Sequence, residues 1–334
     1  VSQPFDDLNI AVLLPCYNEE KTIAEVVSGF RAALPSATIY VYDNNSKDLT
    51  ALKARAAGAI VVREPRQGKG NVVRRMFSDI DADVYLMADG DGTYAPEDGP
   101  LLINTLLTER ADMAVGTRMG VTDDAGRAGH AFGNRIFNNL YHGIFGTDFT
   151  DIFSGYRAFT RRFAKSFPAL SPGFETETEM SVHASQLRLP VCEIPLAYGR
   201  RPEGSDSKLS TFRDGAKILR MFAMLMKETQ PFRFFAIFAM VFAIVGLTMM
   251  IPVFYEFAQT GLVSKMPTWI GALSLMILSG LSLMTGVILD SVARARVEQK
   301  RILYMAIPTA RGDRRVTALP LEAKKERRRT RKAA

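Results

Sequence analysis

Asp89 and Asp91 stand one residue apart, each followed by glycine, in Asp89-Gly90-Asp91-Gly92. Two carboxylates this close resist joint ionisation unless a positive charge lies between them. Hard oxygen ligands suit Mg2+ or Mn2+, and Mg2+ takes only one or two protein carboxylates, completing its sphere with phosphate oxygens and water. The pair therefore reads as a seat for a metal that arrives with a diphosphate. The same string also occurs as a plain polar turn. Its place directly after the apolar run Val84–Ala88 favours the chemical reading.

Arg66-Gln67-Gly68-Lys69-Gly70-Asn71 is not a nucleotide P-loop. That motif needs Gly where Arg63 stands and Ser or Thr where Gly70 stands. A Gly-Lys-Gly before a helix can still offer N–H groups and an ammonium to a phosphate or nucleobase, or be only a helix-entry turn. The three histidines, His130, His142 and His183, form no metal set, and His183 reads as packed in a core helix. Cys16 and Cys192 match no metal-ligand spacing and read as free thiols in a reducing compartment.

The elements that must position these groups alternate. Ile10–Leu14, Thr38–Tyr42, Ala59–Val62, Val84–Ala88 and Ala111–Val115 are short continuous apolar runs, as strands buried on both faces should be. Glu20–Ala33, Thr50–Ala57, Asn71–Ile80 and Glu97–Leu107 between them have helical spacing. The alternation predicts an α/β domain with a mainly parallel, Rossmann-like sheet. Ligands of such sheets bind beyond the carboxyl ends of the strands. The polar clusters Tyr17–Glu20, Asp43–Ser46 and Asp89–Asp91 fall there.

After residue 230 the chain changes character. Phe234–Tyr255 and Met266–Leu289 carry no charge over 22 and 24 residues. At a rise of about 1.5 Å per residue each can cross a hydrocarbon core of roughly 30 Å. Two buried core helices are the alternative. Trp269 near one end of the second run is placed as an interfacial anchor. Lys and Arg concentrate outside the pair, which predicts a catalytic domain and a C-terminal tail both in the cytoplasm. From Arg311 onward there are ten Lys or Arg against three Asp or Glu, so the tail alone accounts for the net charge of +7. The rest is near neutral, and nucleic acid is not an expected partner. The tail reads as lying on anionic lipid or as solvated. Phe212, Ala216, Leu219, Ala223 and Met226 share one helical face beside Arg213, Lys217 and Arg220, the pattern of an interfacial helix or of a core-facing one. The N-terminus has no basic region and does not read as a secretory signal. Glycine-rich Met119–Gly133 reads as a mobile lid.

These motifs together carry a resemblance. Leu14-Pro15-Cys16-Tyr17-Asn18-Glu19-Glu20, Asp43-Asn44-Asn45-Ser46-Lys47-Asp48, the Asp89/Asp91 pair, Gly116-Thr117-Arg118, Asp151-Ile152-Phe153-Ser154-Gly155-Tyr156-Arg157, and Arg200, Arg201 and Ser207-Lys208-Leu209 follow in order. The series resembles the family 2 glycosyltransferases of GT-A fold, in the branch of dolichol-phosphate mannose synthase and the bacterial polyprenyl-phosphate glycosyltransferases. It covers roughly residues 8–230. The resemblance implies a catalytic domain over 1–207, a juxtamembrane interfacial helix over 208–230, a two-helix transmembrane anchor over 231–292 and a basic tail over 293–334. It implies that Pro15, Tyr17, Glu19 and Asp43 cradle a nucleobase and ribose, with Lys69 also on the nucleotide-sugar. Asp89 and Asp91 would hold Mg2+ or Mn2+ on the diphosphate. Arg118 would face the acceptor phosphate or the sugar, and Asp151, Ser154 and Arg157 would border sugar and acceptor. Arg200, Arg201 and Lys208 would bind phosphate near the membrane.

The implied reaction is transfer of one sugar, with inversion, from a nucleotide-sugar to polyprenyl phosphate at the inner membrane of a bacterium. Asp151 would orient the acceptor or act as a weak base; it would otherwise cap the Ser154-Gly155 turn. A UDP-hexose is the expected donor, with GDP-mannose as the alternative, and packing of the anchor against a second copy is expected. Three features depart from the pattern: Asp-Gly-Asp replaces Asp-Ala-Asp, Thr93 stands where relatives often have an amide, and PEGSDS separates Arg201 from Lys208. A processive synthase would carry a Gln-x-x-Arg-Trp motif, which is absent. The rival outside enzymes is a non-catalytic membrane adaptor with a sugar-nucleotide fold.

Overall fold

The computed structural model describes residues 7–119, 149–173, 175–199, 220 and 223–308. The described residues fall into two compact units, a sheet unit (up to 119, 149–199 and from Tyr304) and a helical unit that ends at Leu303.

The sheet unit places its expected strands close to where the apolar runs lie. They are β1 Ile10–Cys16, β2 Thr38–Asp43, β3 Ile60–Arg63, β4 Val84–Met87 and β5 Met113–Met119. Two more, β6 Arg157–Thr160 and β7 Val191–Ala197, complete the order β3-β2-β1-β4-β6-β5-β7. Neighbouring pairs are parallel except at β6, which runs antiparallel to both β4 and β5. Six carboxyl ends therefore share one edge, and the amino end of β6 arrives at the same edge. Arg157 sits opposite both Met87 and Val115. The segment 151–156 is thereby delivered to the ends of β4 and β5.

The helices are α1 Ile23–Ala33, α2 Thr50–Ala56, α3 Lys69–Asp79, α4 Gly99–Thr108, α5 Arg161–Ser166 and α6 Thr176–Leu187. One layer packs Val26, Val27 and Phe30 of α1 with Leu102, Ile103 and Leu106 of α4 against β1 and β4. On α3, Phe77 meets Tyr85, Phe159 and Phe167 edge-on at centroid distances of 5.8, 5.7 and 6.1 Å. Fully burying one such side chain contributes about 1.5–3 kcal/mol. His183 has the packed role expected of it: its ring meets Phe163 and Phe167 at 5.4 and 5.5 Å, and Nε2 bonds Ser166 Oγ.

Two boundaries move for physical reasons. α1 begins at Ile23 rather than Glu20, because Thr22 donates its hydroxyl to Gly90 O at 2.7 Å and holds the preceding residues in a loop. α4 begins after one 3-10 turn, Pro96–Asp98.

The helical unit is a hairpin of α7 Pro231–Thr260 and α8 Met266–Ala306. Both are long and apolar enough to cross a membrane. They pack antiparallel at small residues. A Cβ on Gly246 would lie 3.2 Å from Ala272 O, and one on Gly286 would lie 3.1 Å from Phe235 Cβ. Ser279 Oγ donates to Ala239 O at 2.7 Å, and Phe254 meets Trp269 at 5.5 Å. Ile237, Ile244, Leu247, Ile277, Leu281 and Ile288 remain exposed, a surface suited to hydrocarbon rather than water. α8 continues well past Leu289 to Ala306, because Asp290–Ala306 contains neither Gly nor Pro and begins with an Asp290–Arg294 pair at 2.8 Å. The start of the expected basic tail is therefore helix. Residues 223–229 are helical, and most of the expected interfacial helix lies outside the described residues.

Candidate active site

Four loops after β1, β2, β3 and β4 are tied to one another. Asn18, at φ 55°, accepts Lys47 N on Oδ1 at 2.8 Å, and its own N–H donates to Ser46 Oγ at 2.9 Å. Glu19 N donates to Thr50 Oγ1 at 2.8 Å. Asn44 donates to Glu64 O and Arg66 O and accepts Gly68 N at 2.7 Å, which fixes the turn leading to Lys69. Sequence reasoning gave Asn44 no role. Its signal, a second amide beside Asp43, does not say which distant loop it serves.

Asp43 ends β2 and is buried. Oδ2 accepts Ser46 N at 3.3 Å, while Oδ1 has no hydrogen-bond partner among the described residues. A buried acceptor left open is costly unless a ligand donates to it. Pro15 is buried within β1 opposite Tyr42, Cys16 stands opposite Asp43, and Tyr17 is half-buried just past the end of β1. Cys16 lies beneath the edge. Burial, followed by the charges of Glu19, Asp89, Asp43 and Asp91, pushes its thiol pKa up, so it stays neutral.

The turn after β4 carries the acidic pair. Gly90 has no room for a Cβ against Cys16 Sγ, and Gly92 takes φ 74°. Asp91 is buried; its Oδ1 accepts Thr93 Oγ1 at 2.6 Å and Thr93 N at 3.1 Å. Thr93 thus orients Asp91, a role its departure from the family pattern did not reveal. Asp89 Oδ1 receives Lys69 Nζ at 2.5 Å, and Lys69 also pairs with Glu177 of α6. Burial disfavours the Lys69 charge, but Asp89 and Glu177 outweigh it and raise its pKa.

Arg118 and Asp151 close on each other. Nε–Oδ2 is 2.8 Å and Nη2–Oδ1 is 2.9 Å, and the Arg118 guanidinium lies 5.7 Å from the Tyr198 ring centre. Burial raises the Asp151 pKa, but Arg118 more than offsets this and holds the carboxyl below the usual range. Asp151 Oδ1 also accepts Phe153 N at 3.1 Å, capping the turn.

Ser154 and Arg157, expected beside sugar and acceptor, are fully buried. Ser154 Oγ donates to Gly116 O at 2.5 Å. Arg157 donates to Ser154 O, Ile152 O and Ser181 Oγ at 2.8, 2.9 and 3.0 Å. As placed, the two shape the 151–156 loop from inside and do not face the open edge. The loop sets Gly155 over the Lys69–Asp89 pair, with Gly155 N donating to Tyr94 OH at 2.9 Å. Arg200, Arg201, Lys208 and nearly all of the expected lid lie outside the described residues.

Residues 11–167 match Glycosyl transferase family 2. Glycosyltransferase AglJ of Haloferax volcanii is 37% identical over 298 residues, covering 88% of this chain and 97% of its own. The chain belongs to glycosyltransferase family 2. Protein RfbJ of Shigella flexneri is 54% identical over 127 residues, 38% of this chain and 98% of its own. Among solved structures, glucosyl-3-phosphoglycerate synthase from Mycobacterium tuberculosis, in complex with Mn2+, UDP-glucose and phosphoglyceric acid, superposes with a TM-score of 0.56. It is 23% identical and covers 67% of this chain and 80% of its own, a likeness of fold that makes the sheet unit GT-A.

The family 2 site fits a divalent cation by its donor chemistry. Among the described residues no group of three or more His, Cys, Asp or Glu is placed to hold a metal ion by itself. Two carboxylates suffice for a metal whose other ligands are phosphate oxygens and water. Asp89 already pairs with Lys69, so a metal there would share that carboxylate with the ammonium.

Proposed function

We propose that this enzyme transfers one hexose from a nucleotide-sugar, with a UDP-hexose as the favoured donor, to polyprenyl phosphate at a membrane. One observation carries the reading: a GT-A strand edge with an open buried carboxylate oxygen shares its chain with a helical hairpin whose apolar side chains are exposed. Relatives named dolichyl-phosphate hexose transferase of Haloferax volcanii and undecaprenyl-phosphate mannosyltransferase of Micrococcus luteus support it.

Asp43 Oδ1 is an acceptor matched to the ring N–H of uracil; guanine also offers N–H donors. Pro15, Tyr17 and Glu19 flank the base and ribose. Mg2+ or Mn2+ on Asp89 and Asp91 would screen the diphosphate and stabilise the charge that develops as it leaves. A lipid phosphate has a second pKa near roughly 6, so at neutral pH it is already nucleophilic and needs positioning rather than a strong base. This agrees with an Asp151 held ionised and paired by Arg118. Asp151 then orients Arg118, whose guanidinium faces the acceptor phosphate, and Arg200, Arg201 and Lys208 bind that phosphate near the bilayer. Attack in line with the leaving diphosphate inverts the anomeric carbon. The sheet unit and tail lie in the cytoplasm, and α7–α8 form a multi-pass anchor in a bacterial inner membrane.

The test is transfer from labelled UDP- and GDP-sugars to undecaprenyl phosphate with Mg2+, Mn2+ or EDTA. One EDTA-sensitive labelled lipid is expected, and the productive donor decides between UDP-hexose and GDP-mannose. Folded protein that turns over no donor in the panel would return the reading to a membrane adaptor.

A further inference from the structure

Three segments converge on Lys69. It is the first residue of α3, and the turn before it is held by Asn44 from the loop after β2 and by Gly70 N donating to Pro172 O at 3.0 Å. Its ammonium lies between Asp89 and Glu177, and its side chain is only 9% exposed. Gly155 closes over the pair. A Cβ there would fall 2.9 Å from Asp89 Oδ2 and 3.2 Å from Lys69 Nζ. Glu177 is buried in the first turn of α6, where the helix dipole favours a carboxylate, and its Oε2 has no hydrogen-bond partner among the described residues. One ammonium thus serves two carboxylates, and only Asp89 of the two belongs to the expected metal seat.

We infer that Lys69 is a built-in counter-cation of Asp89 that competes with the divalent metal, and that Glu177 is the positioning residue that keeps the ammonium in the site when Asp89 turns to the metal. The inference rests on the metal reading given above. Without nucleotide, Lys69 neutralises Asp89 and disfavours a bare metal ion. With a diphosphate present, Lys69 stays on Glu177, beside an anion that can use its charge. Glu177 Oε2, the open oxygen, gives the ammonium a second acceptor once Asp89 lets go. Metal and nucleotide should therefore bind cooperatively.

The test is Mn2+ binding by full-length protein, read from the EPR signal of free Mn2+, with and without UDP or GDP. Wild type, Lys69→Met and Glu177→Gln are compared, with melting curves to show that each is folded. Lys69→Met should bind Mn2+ alone roughly tenfold tighter and lose much of the enhancement by nucleotide. Glu177→Gln should bind Mn2+ alone roughly tenfold more weakly, because Asp89 becomes the ammonium's sole anionic partner. A merely structural role for either residue would weaken binding in both variants. Shifts in the same direction, or no shift in Lys69→Met, would overturn the inference while leaving the metal reading intact. Wild type that binds no Mn2+ even with nucleotide would remove both.

Discussion

Replacing Arg118 with Met should convert Asp151 from a stabilising carboxylate into a buried liability. The side chains of the pair are 17% and 14% exposed and joined by two parallel bonds of 2.8 and 2.9 Å. Unit charges about 4 Å apart at an effective dielectric near 20 interact by about 4 kcal/mol. Removing one partner of a buried pair costs about 3–5 kcal/mol, since the other is left uncompensated. The pH dependence carries the sharper signature. Asp151 is depressed in the folded state, so its contribution is present above its unfolded pKa of about 3.9 and is lost as pH falls through the lower folded value. In Arg118→Met, burial is no longer offset by the guanidinium, and the backbone N–H groups of residues 118 and Phe153 oppose it less, so the folded pKa rises and this acid limb flattens. Thermal unfolding of the detergent-solubilised enzyme across pH 3–7 measures both effects, and Arg118→Met/Asp151→Asn should recover most of the loss. A loss below about 1 kcal/mol with the wild-type pH profile is the behaviour of a solvated surface pair, and would refute the closed-pair reasoning.

Three other outcomes are expected. Asp91→Asn should abolish transfer yet leave the melting temperature near wild type, because an amide oxygen still accepts both Thr93 bonds; wild-type turnover by this variant would remove Asp91 from the metal seat. Arg157→Met leaves the Ile152 and Ser154 carbonyls without their charged donor, at about 1–3 kcal/mol each, so stability and overall turnover should fall together. A stable Arg157→Met raised only in its KM for lipid acceptor would instead make Arg157 an acceptor contact. Gly155→Ala drives a methyl onto the Lys69–Asp89 pair, and calorimetry should show weakened nucleotide-plus-metal binding; unchanged affinity would mean the loop moves aside without cost.

Much of the sheet unit is written locally. β1 and β4 are continuous apolar runs buried along their length, and a strand buried on both faces must be apolar whatever its neighbours are; β3 has the same apolar pattern but stands at the sheet edge with Ile60 exposed. The Asp89–Asp91 pair is legible for a related reason. Carboxylates that end such a run must stand at a strand terminus, where ligands bind in open sheets. The apolar stretches behind α7 and α8 are equally local, because crossing hydrocarbon requires only length without charge.

β6 is not legible in this way. Its sequence is Arg157-Ala158-Phe159-Thr160, four residues opening on a charge that looks like a surface residue. The Arg is buried because acceptors from the 152–154 loop, from Ser181 and from Met113 of β5 surround it, and no local pattern encodes that. The antiparallel placement of β6 between β4 and β5 decides the site, since it brings the 151–156 loop and Gly155 against Asp89.

Glu177 gave no signal either. It lies in a polar, nearly wholly buried helix, 108 positions from Lys69, and only the fold makes them an ion pair. The sequence by itself determined which groups carry charge and which segments avoid water, because those are properties of single residues and short periods. Tertiary structure decided which charges meet, which are buried and which stay open to a ligand, because pairing across the sheet depends on contacts between residues far apart in the chain.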